Sequence, residues 1–212
     1  MEAEVIAAED AGADGGAKRR QIMDGARTVF LSDGFDGASV NDVARAAAVS
    51  KGTIYAYFES KEQLFEALIR EDRSQQAERM CRFPREPGNP REFLADFGRR
   101  LIKMMTRPEM IAQLRVVIAA TGKFPRLGRA FYEAGPCYGV SKLAEQLRAL
   151  DASGALEVGE PERAARQFID LCKSGVFNAV LFGAVESVPP KEIEASVNAA
   201  VEVFMRAYGA KA

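Results

Sequence analysis

The sequence predicts an all-α protein of about nine helices, and three observations carry that expectation. Apolar residues recur at three- and four-residue steps through most of the chain, and no stretch alternates apolar and polar residues as a half-buried strand would. Serine, asparagine or proline stands where most of the helical patterns begin, and glycine or proline where several of them stop. Hydrophobic residues make up 48% and charged ones 28% of the 212 residues, a balance that builds a globular core.

Residues 1–17 hold five acidic side chains and no basic one, which predicts a disordered acidic tail and argues against a secretory leader. Behind it the chain reads as a three-helix unit over 18–63 and a larger helical unit over 64–212. Ile22, Ala26, Val29 and Phe30 form the buried face of the first helix. Ser39 caps the second, with Asp42 three positions on completing a capping box and placing negative charge at the positive helix end. Ser50 caps the third. Val40, Val43, Ala44, Ala47, Val49 and Ile54 are spaced so that these two short helices share one small core, and Ala46, Ala47 and Ala48 let them cross closely. One residue of the turn between them must take a left-handed conformation, which glycine usually supplies. Here that position is Ala48, at a cost of roughly 1 kcal/mol.

Ser60-Lys61-Glu62-Gln63 is a second capping box opening a helix to about Met80, with Leu64, Phe65, Leu68 and Ile69 on one side. Pro84, Pro87, Gly88 and Pro90 form a loop that ends in an Asn89-Pro90 helix start. The next helix carries Phe93, Leu94, Phe97, Leu101, Met104 and Met105 and stops near Arg107-Pro108. Another follows over about 109–121, then a pattern over 125–150 that Gly135-Pro136 must kink or split. Residues 151–159 are a loop, Pro161 opens a long helix to about Gly183, and Pro189-Pro190 precede a last helix to about Tyr208.

Two helices, each opened by serine and joined by about one turn of chain, form a helix-turn-helix. Its second helix turns Lys51, Gly52, Thr53, Tyr55 and Tyr57 outward, donors and phenols around a glycine that permits close approach. That face suits a DNA major groove, with Ser50, Gly52 and Thr53 nearest base edges and backbone and Lys51, Tyr55, Tyr57 and Lys61 holding phosphates. Ser39 and Arg45 on the preceding helix complete the expected contact set, and Lys18, Arg19 and Arg20 are either further phosphate contacts or a solvated helix start.

From about Lys18 to Ile69 the chain resembles the N-terminal DNA-binding domain of the tetracycline-repressor-like (TetR/AcrR) family of bacterial transcription regulators. The residues that carry the resemblance are Ile22, Ala26, Val29 and Phe30, then Gly34 to Val40, Val43-Ala44, Ala47 to Tyr55 and Tyr57 to Leu64. Two departures stand out. Ala48 replaces a frequent glycine, and Ala56-Tyr57 replace an aromatic-histidine pair or similar, which removes one candidate base or backbone contact. The stretch from about Arg107 to Gly183 is similar to the AefR-like C-terminal domain. The resemblance implies double-stranded operator DNA as partner, a homodimer through 161–183 and 193–208, and an inducer pocket in the central helices. The apolar stripes of those two segments also suit pairing across a two-fold axis, the alternative being that they pack only within one subunit.

Phe97, Leu101, Met104, Leu114, Phe131 and Tyr138 are the candidate ligand-binding residues, a Met- and aromatic-rich set that by spacing alone reads first as core. Lys103 and Arg115 fall among these helices, facing either an anionic inducer or an internal carboxylate. The chain has no histidine, no Gly-rich phosphate loop and no Cys-x-x-Cys, so the expectation is no catalytic residues, no metal and no cofactor. Cys81, Cys137 and Cys172 are scattered, which fits a reduced cytoplasm rather than a disulfide framework. No apolar run is long enough to span a membrane. Residues 18–61 hold seven basic and five acidic side chains, so binding should rest on positioned contacts and dimer avidity more than on bulk charge. Two other readings are a cysteine-based redox or electrophile sensor and a ligand-independent DNA-binding protein. Apolar surroundings at Cys137 and Cys172 and the barely basic body count against them.

Overall fold

The computed structural model describes residues 2–84 and 88–210, with side chains from residue 15 onward. Among them are eleven α-helices, α1 (Glu2–Gly37), α2 (Val40–Ala46), α3 (Lys51–Tyr57), α4 (Lys61–Met80), α5 (Pro90–Met105), α6 (Pro108–Thr121), α7 (Pro125–Tyr132), α8 (Tyr138–Ala152), α9 (Pro161–Lys173), α10 (Val176–Leu181) and α11 (Pro190–Tyr208). A π-helical turn, Glu133–Cys137, joins α7 to α8. No strand occurs among the described residues, only an isolated antiparallel bridge between Leu156 and Gly209. The all-α expectation holds, and two breaks raise the helix number. One is the split at Gly135-Pro136, where the π turn absorbs the proline. The other is at Gly175, whose φ of 82° ends the helix expected to run from Pro161 to Gly183.

The backbone over 2–17, expected as a disordered acidic tail, continues α1 without a break; the side chains of residues 2–14, like Met1 and Pro87 of the expected loop, lie outside the described residues.

The chain divides into two compact units, Met1–Asp72 with Val116–Phe131, and Arg73–Arg115 with Tyr132–Ala212. The division falls inside α4 and α6 instead of at residue 63, because the first turns of α4 bury Leu64, Phe65, Leu68 and Ile69 in the first core. Val117, Ala120, Leu127 and Ala130, far along the chain, close the same core. At its centre the Phe35 ring stacks on Phe65 at 5.1 Å and meets the edge of Phe124 at 4.9 Å. The Arg27 guanidinium grips Asp72 through two hydrogen bonds of 3.1 and 2.6 Å, tying α1 to α4.

The second unit is a bundle of α5, α8, α9 and α11 around Phe97, Phe168, Phe204, Leu143 and Leu147. Asn89 caps α5 as expected, its side chain accepting from the N–H groups of Arg91 and Glu92. Arg115 is bound to neither a carboxylate nor a free face. It donates to the carbonyls of Leu181 and Val180, both at 3.0 Å, and so caps the end of α10.

Candidate nucleic-acid interface

The interface begins with how α2 is held. Ser39 Oγ accepts from Asp42 N at 3.2 Å, and Asp42 reaches back to Ser39 N at 3.3 Å, the full capping box read from the sequence. The Ser39 hydroxyl also donates to the carboxylate at 2.5 Å. That bond above all, with a smaller contribution from Arg45, holds the Asp42 carboxyl below the usual carboxylate range.

Ala47 at the far end of α2 lies against Gly25 of α1. A Cβ on Gly25 would stand 2.7 Å from both Ala47 Cβ and Ala47 N, so only glycine admits this crossing. Gln21 donates from its amide to the Ala47 carbonyl at 2.7 Å and satisfies the end of the helix. Ala48 then takes φ 50°, and it is the one non-glycine residue with positive φ among those described. The turn is therefore built as its sequence implied, with an alanine in a position that favours glycine.

Ser50 caps α3, accepting from Thr53 N at 3.0 Å, while Ile54 is 1% exposed and anchors the helix from beneath. The opposite face is open. Tyr55 and Tyr57 are 46% and 38% exposed, Lys51 and Gly52 are exposed, and a Cβ on Gly52 would meet nothing closer than 3.6 Å. The Lys51 ammonium lies 5.8 Å from the Tyr55 ring centre. Thr53 is half-buried with its hydroxyl 2.8 Å from Ser50 Oγ, and Arg45 extends to solvent 3.3 Å from Asp42. Lys51, Gly52 and Tyr55 lie within about one side of α3, whereas Thr53 and Tyr57 fall further round the helix, Thr53 half-buried and Tyr57 exposed.

Lys61 departs from its expected role. Its ammonium donates to the carbonyls of Phe35 and Ala38 at 2.8 and 3.0 Å and lies 4.4 Å from the Phe35 ring centre. Two of its three N–H groups hold the loop that feeds α2, a positioning role instead of an open phosphate contact. Arg19 is likewise engaged, paired with Glu71 at 3.0 Å and stacked over Phe58, whereas Arg20 is exposed. The Ser60 box forms in part, with Ser60 accepting from Gln63 N and the Gln63 side chain accepting from Glu59 N.

The candidate ligand residues are dispersed. Phe97 and Leu101 are closed within the second core, Tyr138 and Leu114 are half-buried, and Phe131 belongs to the first unit. Met104 borders a cleft of about 280 Å³ shared with Met80 and Met110. Burial pushes the Cys172 thiol up to about 12 and the Cys81 thiol up to about 11. Cys137 was expected in apolar surroundings and is exposed instead, because the π turn rolls it to the surface. Among the described residues no group of three His, Cys, Asp or Glu could hold a metal, and no helix is long and apolar enough to cross a membrane.

These features define a helix-turn-helix protein with a separate helical body. The family model for bacterial regulatory proteins of the tetR family matches residues 22–68, and that for the AefR-like transcriptional repressor C-terminal domain matches residues 92–210. The chain belongs to the TetR family, with a C-terminal domain of the AefR-like kind. It is similar to the crystal structure of a TetR-family regulator from Mesorhizobium loti, at 28% identity over 92% of this chain and 98% of that one, with a TM-score of 0.82. It is also similar to the flavonoid-responsive regulator FrrA, at 32% identity over 93% and 100% of the two chains, with a TM-score of 0.79. The HTH-type transcriptional repressor Rv1474c of Mycobacterium tuberculosis is 46% identical over 61 residues, 29% of this chain and 33% of that protein. The matched segment spans about a third of the length of the curated relatives.

Proposed function

We propose that this chain is a transcriptional regulator that binds a two-fold operator as a homodimer and leaves it when a small molecule binds the helical body. The observation that carries the DNA reading is the outward face of α3, where Lys51, Gly52, Tyr55 and Tyr57 are exposed on a helix anchored by Ile54 and capped by Ser50. In a major groove, Gly52 and Thr53 approach base edges while Lys51, Tyr55, Tyr57 and Arg45 contact phosphates. Ser39 and Lys61 set the angle of α2. Repression is the direction supported by relatives named as repressors. Replacing Lys51 and Tyr55 together by Ala should abolish gel-shift binding of the operator and leave the thermal unfolding midpoint within a degree or two. Undiminished affinity in that variant sinks the assignment.

For the dimer, most of the apolar stripe over 161–183 and 193–208 is spent inside the protomer, since Ala164, Phe168, Cys172, Val197, Ala200 and Phe204 are buried in its own core. Within those segments Phe182 and Val203 remain 82% and 51% exposed, and Val185, just beyond the first, is 44% exposed. For the effector, a relative named as flavonoid-responsive supports a small-molecule signal. Of the expected ligand residues Met104 borders the cleft shared with Met80 and Met110, and the effector is assigned there. A ligand releases the operator only by preferring the arrangement that cannot bind DNA, and roughly 1–3 kcal/mol of coupling suffices.

A further inference from the structure

The cleft beside Met104 is lopsided in its chemistry. Its apolar part is three thioethers, Met80, Met104 and Met110, flexible and polarisable groups that mould to a ligand of irregular shape. Its polar part holds three guanidinium groups, Arg79 of α4, Arg100 of α5 and Arg107 between α5 and α6, against one carboxylate, Glu109 of α6. Two of them already have partners. Arg100 pairs with Asp96 at 2.9 Å and donates to the Met80 carbonyl at 2.9 Å, and Arg107 lies 3.6 Å from Glu109. Arg79, itself exposed, makes no ion pair among the described residues. Gln76, one turn before Met80 on α4, lines the same cleft, and its buried Oε1 accepts no hydrogen bond among the described residues. A buried carbonyl left without a donor is costly unless something supplies one. The volume, about 280 Å³, sits near the lower end of small-molecule sites, roughly 300–1,000 Å³.

We infer that this cleft takes a small organic anion with an apolar body, its charge on the unpaired Arg79, its apolar part against the methionines, and a hydroxyl or amide donor at Gln76. The inference rests on the effector reading above and names its chemical class. A guanidinium discriminates for an anion because it offers paired donors that the two oxygens of a carboxylate accept in parallel, whereas the one uncharged oxygen of an alcohol accepts weaker bonds and cannot match the fork. A cation of the same length would face like charge. The apolar wall alone would treat all three alike.

The test is calorimetric titration of the full chain with decanoate, decanol and decyltrimethylammonium, each below its aggregation threshold, with operator release followed separately by gel shift. Decanoate should bind at least tenfold tighter than decanol, the cation should bind more weakly than either, and Arg79→Gln should bring decanoate down to the level of decanol. Met104→Trp, which fills the cleft, should weaken decanoate and decanol together. Equal affinity for decanoate and decanol, both lost in Met104→Trp, overturns the anionic class and leaves the cleft as the effector site. Decanoate binding that Met104→Trp does not touch overturns the site itself, and no decanoate binding at millimolar concentration overturns the inference outright.

Discussion

At Ala48 a single methyl group works against the turn that shapes the DNA-reading motif. An L-residue with φ 50° costs roughly 1–2 kcal/mol relative to its relaxed conformation. Glycine removes that strain but loses about 0.4–1 kcal/mol more chain entropy on folding. The strain is the larger quantity, so Ala48→Gly should raise stability by about 0.5–1 kcal/mol in urea titration while operator affinity holds. A loss of stability would mean that the alanine is relaxed there. The thiols make a second test. With Cys172 and Cys81 pushed up to about 12 and 11, their thiolate fractions at pH 8 are far below that of an ordinary cysteine. An aromatic disulfide reagent at pH 8 should therefore modify exposed Cys137 in one fast step, and Cys137→Ser should abolish that step; fast labelling of all three would contradict the burial. Ala48 was legible in the sequence because the demand on it is local, set by the turn between two capped helices. Lys61 and Gln21 were not, because each bonds backbone carbonyls more than twenty positions away, and no spacing rule announces such a partner.

The elements themselves were read more easily than their junctions. Capping serines, Asn89 and the proline starts place helix beginnings by mechanisms confined to four or five residues. Gly175 was passed over because a lone glycine within an apolar stripe is tolerated in many helices, and only its φ of 82° shows that the chain stops there. Gly25 was missed for a related reason. Nothing nearby in sequence marks it, and its meaning lies across the interface with α2. In the interior of a helix, Gly→Ala ordinarily stabilises by about 1 kcal/mol. Here the added Cβ would stand 2.7 Å from backbone as well as side chain, so the sign reverses. Gly25→Ala should cost about 1–3 kcal/mol and displace α2 and α3 enough to weaken operator binding. Denaturant titration and gel shift on the same preparation would show both losses, and a stabilised variant would refute the close crossing of α1 and α2.

On the scale of the whole molecule, periodicity identified apolar faces but not what covers them. The stripes of α9 and α11 looked available to a second subunit and are largely consumed by α5 and α8. The residue exposures left by that packing single out Phe182 and Val203. Replacing both by Glu should halve the mass seen by light scattering and weaken the operator complex through lost avidity, with the melting temperature of the protomer little changed. A variant that keeps the wild-type mass would remove this surface from the dimer.

The first core draws on two stretches separated by more than forty residues, and Phe124 meets Phe35 directly behind the loop that sets α2. Lys123 adds a 2.7 Å ion pair to Asp36 in the last turn of α1, just before that loop. The DNA-reading head is consequently not an exchangeable cassette. A hybrid that joins residues 1–72 of this chain to the body of another regulator would inherit a foreign lid over Phe35, Leu64 and Phe65. Its operator choice would then depend on how well that lid matched as well as on α3. Grafting a new DNA specificity onto this body calls for moving 116–131 with the head, or for leaving the core in place and changing the outward residues of α3 alone.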